Sequence, residues 1–131
     1  MTRTNERRIE HRLEYYWPIW FTENFGETLS QGKMLDISST GAAFSSYIDD
    51  SCPYHGQHII AHFSVPRFGS DESFEMANFT RSGRICRVHE VHKFFRRIAL
   101  QFAEPLPFRP GEQVSARIQL AEHKQPTLAM A

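Results

Sequence analysis

In 131 residues the chain carries Lys+Arg 15 against Asp+Glu 15, a formal net charge of zero with neutral histidines. That length builds one core and not a second, and a balanced charge gives no whole-molecule field to draw in DNA or an anionic membrane, so an anion site must come from local clustering. No stretch approaches the roughly 20 consecutive apolar residues of a membrane-crossing helix, and Met1 to Asn5 lead into charge rather than an apolar signal core. The expected setting is cytoplasmic, without membrane insertion, with Cys52 and Cys86 as free thiols.

The clustering sits at the start, in Glu6-Arg7-Arg8-Ile9-Glu10-His11-Arg12. A guanidinium offers five N–H donors in a plane and stays charged, so Arg7, Arg8 and Arg12 can grip phosphates bidentately and stack on flat bases. Lys33, Lys93 and Lys124 are the only lysines, so nearly all positive charge is of this planar kind. Taken alone, such a cluster reads as a solvated tail.

Tyr15 to Thr22 is aromatic and β-favouring, but Pro18 cannot donate to a ladder, which places this strand at an edge or a bulge at Pro18. Gly32 to Leu35 reads as a short strand delivering the turn Asp36-Ile37-Ser38-Ser39-Thr40-Gly41, after which Ala42 to Phe44 resume a strand. Asp36 is an acceptor suited to a guanine Watson–Crick edge, Ser38 a hydroxyl that works both ways, and Gly41 a position free for positive φ or close ligand approach. Alone, Asp-x-Ser-x-x-Gly is a turn between strands.

Asp49 to Pro53 is dense in turn formers, and His58 to Val65 reads as a strand ending at Pro66. Phe68 to Ser73 is a polar loop, and Ala77 to Val88 alternates and pairs back with Phe95 to Phe102 as a hairpin. In the tail, Val114, Ala116, Ile118 and Leu120 alternate at strand period, while Val114, Ile118 and Ala121 also serve one helix face. Residues 112–121 therefore stay open between strand and short helix. Many short aromatic-rich strands and no convincing long helix predict an all-β fold, a closed antiparallel barrel of about six strands.

The two motifs together, Arg8-x-x-x-Arg12 preceded by Arg7 and Asp36-x-Ser38-x-x-Gly41, resemble the PilZ family of bacterial receptors for the second messenger cyclic di-GMP. The resemblance implies that the arginines sit on a mobile segment before the first strand and wrap over the barrel mouth, holding phosphates and guanine Hoogsteen edges. It implies that Asp36, Ser38 and Gly41 lie on the barrel's outer surface against a guanine, and that Arg7 favours two stacked ligand molecules per chain. The expected organisation is a mobile arm over 1–14, a barrel over 15–122 and a disordered tail over 123–131, acting as a monomer or homodimer. Such a module is no enzyme and needs no cofactor; ligand binding changes the arm and so signals to a downstream protein that the sequence does not name.

Other readings carry less. His55, His58 and His62 invite a metal, but on a strand His58 and His62 lie more than ~12 Å apart at about 3.3 Å per residue. Neither the arm nor Ser38-Ser39 brings an orienting triad for catalysis. A barrel binding single-stranded nucleic acid is the main rival, with Tyr15, Tyr16, Trp17, Trp20 and Phe21 as its stacking platform; a structural adaptor that kept the fold without the ligand is another.

Overall fold

The computed structural model describes residues 10–24, 28–69 and 73–113. Within them run β1 (Leu13–Glu14), β2 (Pro18–Thr22), β3 (Ser30–Ile37), β4 (Gly41–Tyr47), β5 (His58–Phe68), β6 (Phe74–His92) and β7 (Phe95–Phe102), followed by a 3-10 turn, Pro110–Glu112. All pairings are antiparallel. Following hydrogen-bonded neighbours from β3 through β2, β5, β6, β7 and β4 leads back to β3, because β3 pairs with both β2 and β4. Six strands thus close a barrel and β1 is an extra strand on β3, as the sequence pattern predicted for the fold class. Closure removes the exposed sheet edges that promote aggregation.

Alternation at period 2 sends one set of side chains inward. Ile19 and Phe21 from β2, Phe44 from β4, Ile59, Ala61, Phe63 and Val65 from β5, Ile85 from β6 and Ile98, Leu100 and Phe102 from β7 form one buried cluster with Met34 and Ile37 of β3. Phe63 stacks on Phe102 with centroids 5.5 Å apart, and Phe21 packs tilted on Phe44 at 5.3 Å. Full burial of one such side chain is worth roughly 1.5–3 kcal/mol, and among the described residues the barrel interior is filled by the side chains that hold it together.

The prolines sit differently from expectation. The first strand is no edge: β2 lies between β3 and β5. The ladder instead breaks over residues 15–17, where Tyr15 N donates to the Leu35 carbonyl and Met34 N to the Trp17 carbonyl. Pro18 then opens β2 opposite Lys33, while pairing with β5 begins at Ile19, so no bond is asked of its missing N–H. Pro66 does not end β5, which continues to Phe68 with Pro66 opposite Met76. Beyond residue 63 β5 has no β2 partner, and Gln113 closes that end by donating to the Pro66 carbonyl and accepting from Phe68 N.

The hairpin over the later strands is longer than its sequence signal, with β6 running to His92 before β7 begins at Phe95. Residues 114–131 lie outside the described residues, and with them most of the alternating segment 112–121 and the tail 123–131. Among the described residues no helix is long and apolar enough to cross a membrane, and Cys52 and Cys86 are free.

Candidate functional site

The site is built on the outer face of β3, β4 and β7. A register shift between Met34 and Asp36 inserts Leu35 into β3, so that Met34 and Ile37 both enter the core while Asp36 pairs with Ala43 on the outside. Such a bulge re-aims one side chain without losing the strand. Asp36 is nevertheless only 9% exposed, because two guanidinium groups cover it. Arg12 Nε donates to Oδ1 at 2.6 Å and an Arg97 terminal nitrogen donates to Oδ2 at 2.7 Å. The cations themselves stay open, with side chains 47% and 44% exposed.

The two cations come from opposite sides. Arg12 leads into β1, which pairs Glu14 with Asp36 and so lays the chain start along β3. Arg97 belongs to β7 and reaches across β4, a gap of two strand spacings or about 10 Å. What β4 presents there is small, Ala43 opposite Asp36 and Ser45 opposite Arg97, which leaves the crossing open. Past Arg97 the same face continues into a shallow groove of about 450 Å³ lined by Gln31, Gly32, Lys33, Ser45, Tyr47 and Phe95.

Below Asp36 the turn is tied to itself. Ser38 N donates to the Gly41 carbonyl at 2.8 Å, and Thr40 N to Ser38 Oγ at 3.3 Å. It is also held from behind, by Leu106 N on the Ser39 carbonyl and Phe102 N on the Thr40 carbonyl. Ser38 is buried and Gly41 opens β4. Gly41 does not use positive φ; among the described glycines only Gly56 does. Its lack of a side chain matters because a Cβ would lie 2.6 Å from the Leu100 carbonyl oxygen of β7, inside van der Waals contact.

Residues 10–12 are each fastened. Glu10 accepts from Ser39 N at 2.6 Å and from Ser39 Oγ at 2.7 Å. Arg12 holds Asp36. His11 N donates to Glu112 of the 3-10 turn at 2.7 Å, and Gly111 lies so close beneath that any Cβ there would collide with the His11 carbonyl. Arg12, Asp36, Ser38 and Gly41 are therefore neighbours around one turn, whereas Arg7 and Arg8 fall outside the described residues.

Two participants were not singled out from sequence. Arg97 stands 61 positions from Asp36, and its only signal is an outward place in the alternation of Phe95 to Phe102. Glu10 reads from sequence as one more polar residue with little apolar surface to hold the arm down; here its carboxylate provides the hold through hydrogen bonds instead. Of the five aromatics proposed as a stacking platform, Tyr15 and Phe21 point into the core while Tyr16, Trp17 and Trp20 are exposed. Among the described residues no group of three or more His, Cys, Asp or Glu side chains could hold a metal ion.

The structure is thus a small closed barrel with the arginine-bearing segment laid against an Asp-x-Ser-x-x-Gly turn on its outer wall. Residues 3–120 match the PilZ domain family profile, and the chain belongs to that family. Among solved structures it is similar to the Bacillus subtilis inhibitor of motility, MotI/DgrA, with a TM-score of 0.62 at 16% identity, over 92% of this chain and 53% of that one. The chain thus spans about half the length of that protein. No curated protein sequence matches it.

Proposed function

We propose that the protein is a cyclic di-GMP receptor, in which the lead segment and the turn hold the ligand jointly and the segment's change of position is the signal to a partner protein. One observation carries the reading: Arg12 of the first motif and Asp36 of the second, 24 positions apart, are in direct contact at 2.6 Å. Family membership supports the ligand class.

The chemistry assigns complementary roles. Arg7, Arg8 and Arg12 take phosphates and guanine Hoogsteen edges, and Asp36, Ser38 and the Gly41 turn take a guanine. Charge-assisted bonds of roughly 1.5–3 kcal/mol each give about 5–9 kcal/mol from three arginines, against an association cost of about 4 kcal/mol or more. A micromolar complex near −8 kcal/mol then requires the base contacts as well. Both Asp36 oxygens already accept from guanidinium groups, and in this reading a guanine N1–H and N2–H₂ edge takes the place of one of them. Arg97 is fixed on β7 and Arg12 sits at the lead segment, so Arg12 is the one that leaves, carrying the segment with it. That exchange supplies the differential contact a population shift needs. Arg7 brings a third fork for a second, stacked ligand molecule. The module acts as a cytoplasmic adaptor without catalysis of its own.

The test is a calorimetric comparison of cyclic di-GMP, cyclic di-AMP, linear pGpG and a single-stranded oligonucleotide. Saturable micromolar binding of cyclic di-GMP, with the others at least tenfold weaker, is the expected result. Oligonucleotide binding that falls steeply with salt, with no response to cyclic di-GMP, would overturn it.

A further inference from the structure

Glu10 stands inside the arginine motif, and each of its oxygens accepts from one serine, Ser39. Ser39 N and Ser39 Oγ converge on the carboxylate at 2.6 and 2.7 Å, a two-pronged grip of the kind that phosphate oxygens receive from paired backbone and hydroxyl donors. The amides on either side are committed within the turn, Ser38 N to the Gly41 carbonyl and Thr40 N to Ser38 Oγ. The Ser39 pair is thus turned away from the turn's own acceptors, and the bonds from Leu106 N and Phe102 N fix its backbone independently of the lead segment. A preset anion seat is already formed here, and the chain's own carboxylate sits in it.

We infer that Ser39 N–H and Oγ–H form a phosphate subsite of this receptor, and that Glu10 is its intramolecular occupant, displaced when a phosphodiester of the ligand takes the seat. The inference rests on the cyclic-dinucleotide reading for the identity of the ligand, but not for the existence of the seat. Glu10 and ligand phosphate exclude one another, so the carboxylate lowers apparent affinity by the fraction of time it occupies the seat. It also links the two events: emptying the seat releases Glu10 two residues before Arg12, the residue that must leave Asp36.

Two titrations of the full chain, as wild type, Glu10→Ala and Glu10→Gln, decide it. In amide NMR with inorganic phosphate, the Ser39 resonance should shift saturably in Glu10→Ala, less in Glu10→Gln and least in the wild type, and adding Ser39→Ala to Glu10→Ala should weaken that response. In calorimetry with cyclic di-GMP, Glu10→Ala should bind at least about threefold tighter than wild type. A Ser39 shift with phosphate and no dinucleotide binding by any variant keeps the seat and removes the receptor reading. Dinucleotide binding equal or weaker in Glu10→Ala, or a Ser39 amide indifferent to phosphate in both folded variants, overturns the inference and leaves Glu10 as a clamp for the segment alone.

Discussion

Asp36 answers to two cations of different standing. Arg12 arrives on a segment of chain held by a few hydrogen bonds, whereas Arg97 projects from a strand bonded on both sides, by β4 and β6. In the exchange proposed above, Arg97 is a positioning residue that keeps Oδ2 aimed while Oδ1 changes partner. Both pairs are open to solvent on the cationic side, and exposed ion pairs contribute about 0–1 kcal/mol to stability. Arg97→Ala should therefore weaken cyclic di-GMP binding by about tenfold while unfolding by urea moves by less than about 1 kcal/mol; a loss of stability with unchanged affinity would assign Arg97 to the fold instead. Tyr15 is the opposite case. It is 5% exposed and its hydroxyl donates to the Ser64 carbonyl at 2.8 Å, so Tyr15→Phe should cost about 1–3 kcal/mol. Burial raises its phenol above the ordinary 10.0, and only the neutral form is welcome in the folded chain. The stability this preference contributes is complete below about pH 10 and is lost as pH climbs from there toward the raised value. Denaturation followed from pH 8 upward should show a steeper alkaline decline in the wild type than in Tyr15→Phe.

Elements were legible where one strand speaks for itself. The alternation of Ile98, Leu100 and Phe102 and the run His58 to Val65 predict β7 and β5 because their inward residues need no knowledge of their neighbours. What pairing alone decides was hidden. The break at residues 15–17, the passage of β5 through Pro66 and the extra residue Leu35 in β3 each depend on which strand lies alongside. The motif residues Arg12, Asp36, Ser38 and Gly41 were singled out by the family resemblance, and the structure gathers them around one turn. Arg97 was not, since nothing local says that an arginine 61 positions away crosses β4 above Ala43. Nor was the partnership of the chain start with Pro110–Glu112, which depends on Gly111 lying flat beneath the His11 carbonyl. Gly111→Ala should push these elements apart and expose the His11 amide, now bonded to Glu112. Hydrogen exchange at His11 should accelerate at least tenfold while core amides such as Ile98 keep their protection. Unchanged exchange at His11 would show that the turn does not hold the segment.

At the scale of the whole molecule, the barrel is a filled frame and the chemistry is carried on its wall. Its interior is closed by Phe, Ile and Leu side chains, so a ligand gains nothing from opening it and the six strands need not move. The polar contacts on which the proposed response would act lie on the outer wall: those of residues 10–12, of the turn on which Glu10 and Arg12 rest, and of the 3-10 turn beneath His11. Division of a rigid frame from a few exchangeable polar contacts suits a receptor, because each exchange trades one charge-assisted bond for another and so costs little net free energy. The central claim is that the arginine segment and the Asp36 turn act as one site. Calorimetric titration of cyclic di-GMP into the wild type and Arg12→Ala tests it most directly. Micromolar binding by the wild type, weakened in Arg12→Ala by about 2–5 kcal/mol, the scale for deleting one partner of a charge pair, is the expected result, and equal affinity in the two proteins would contradict it.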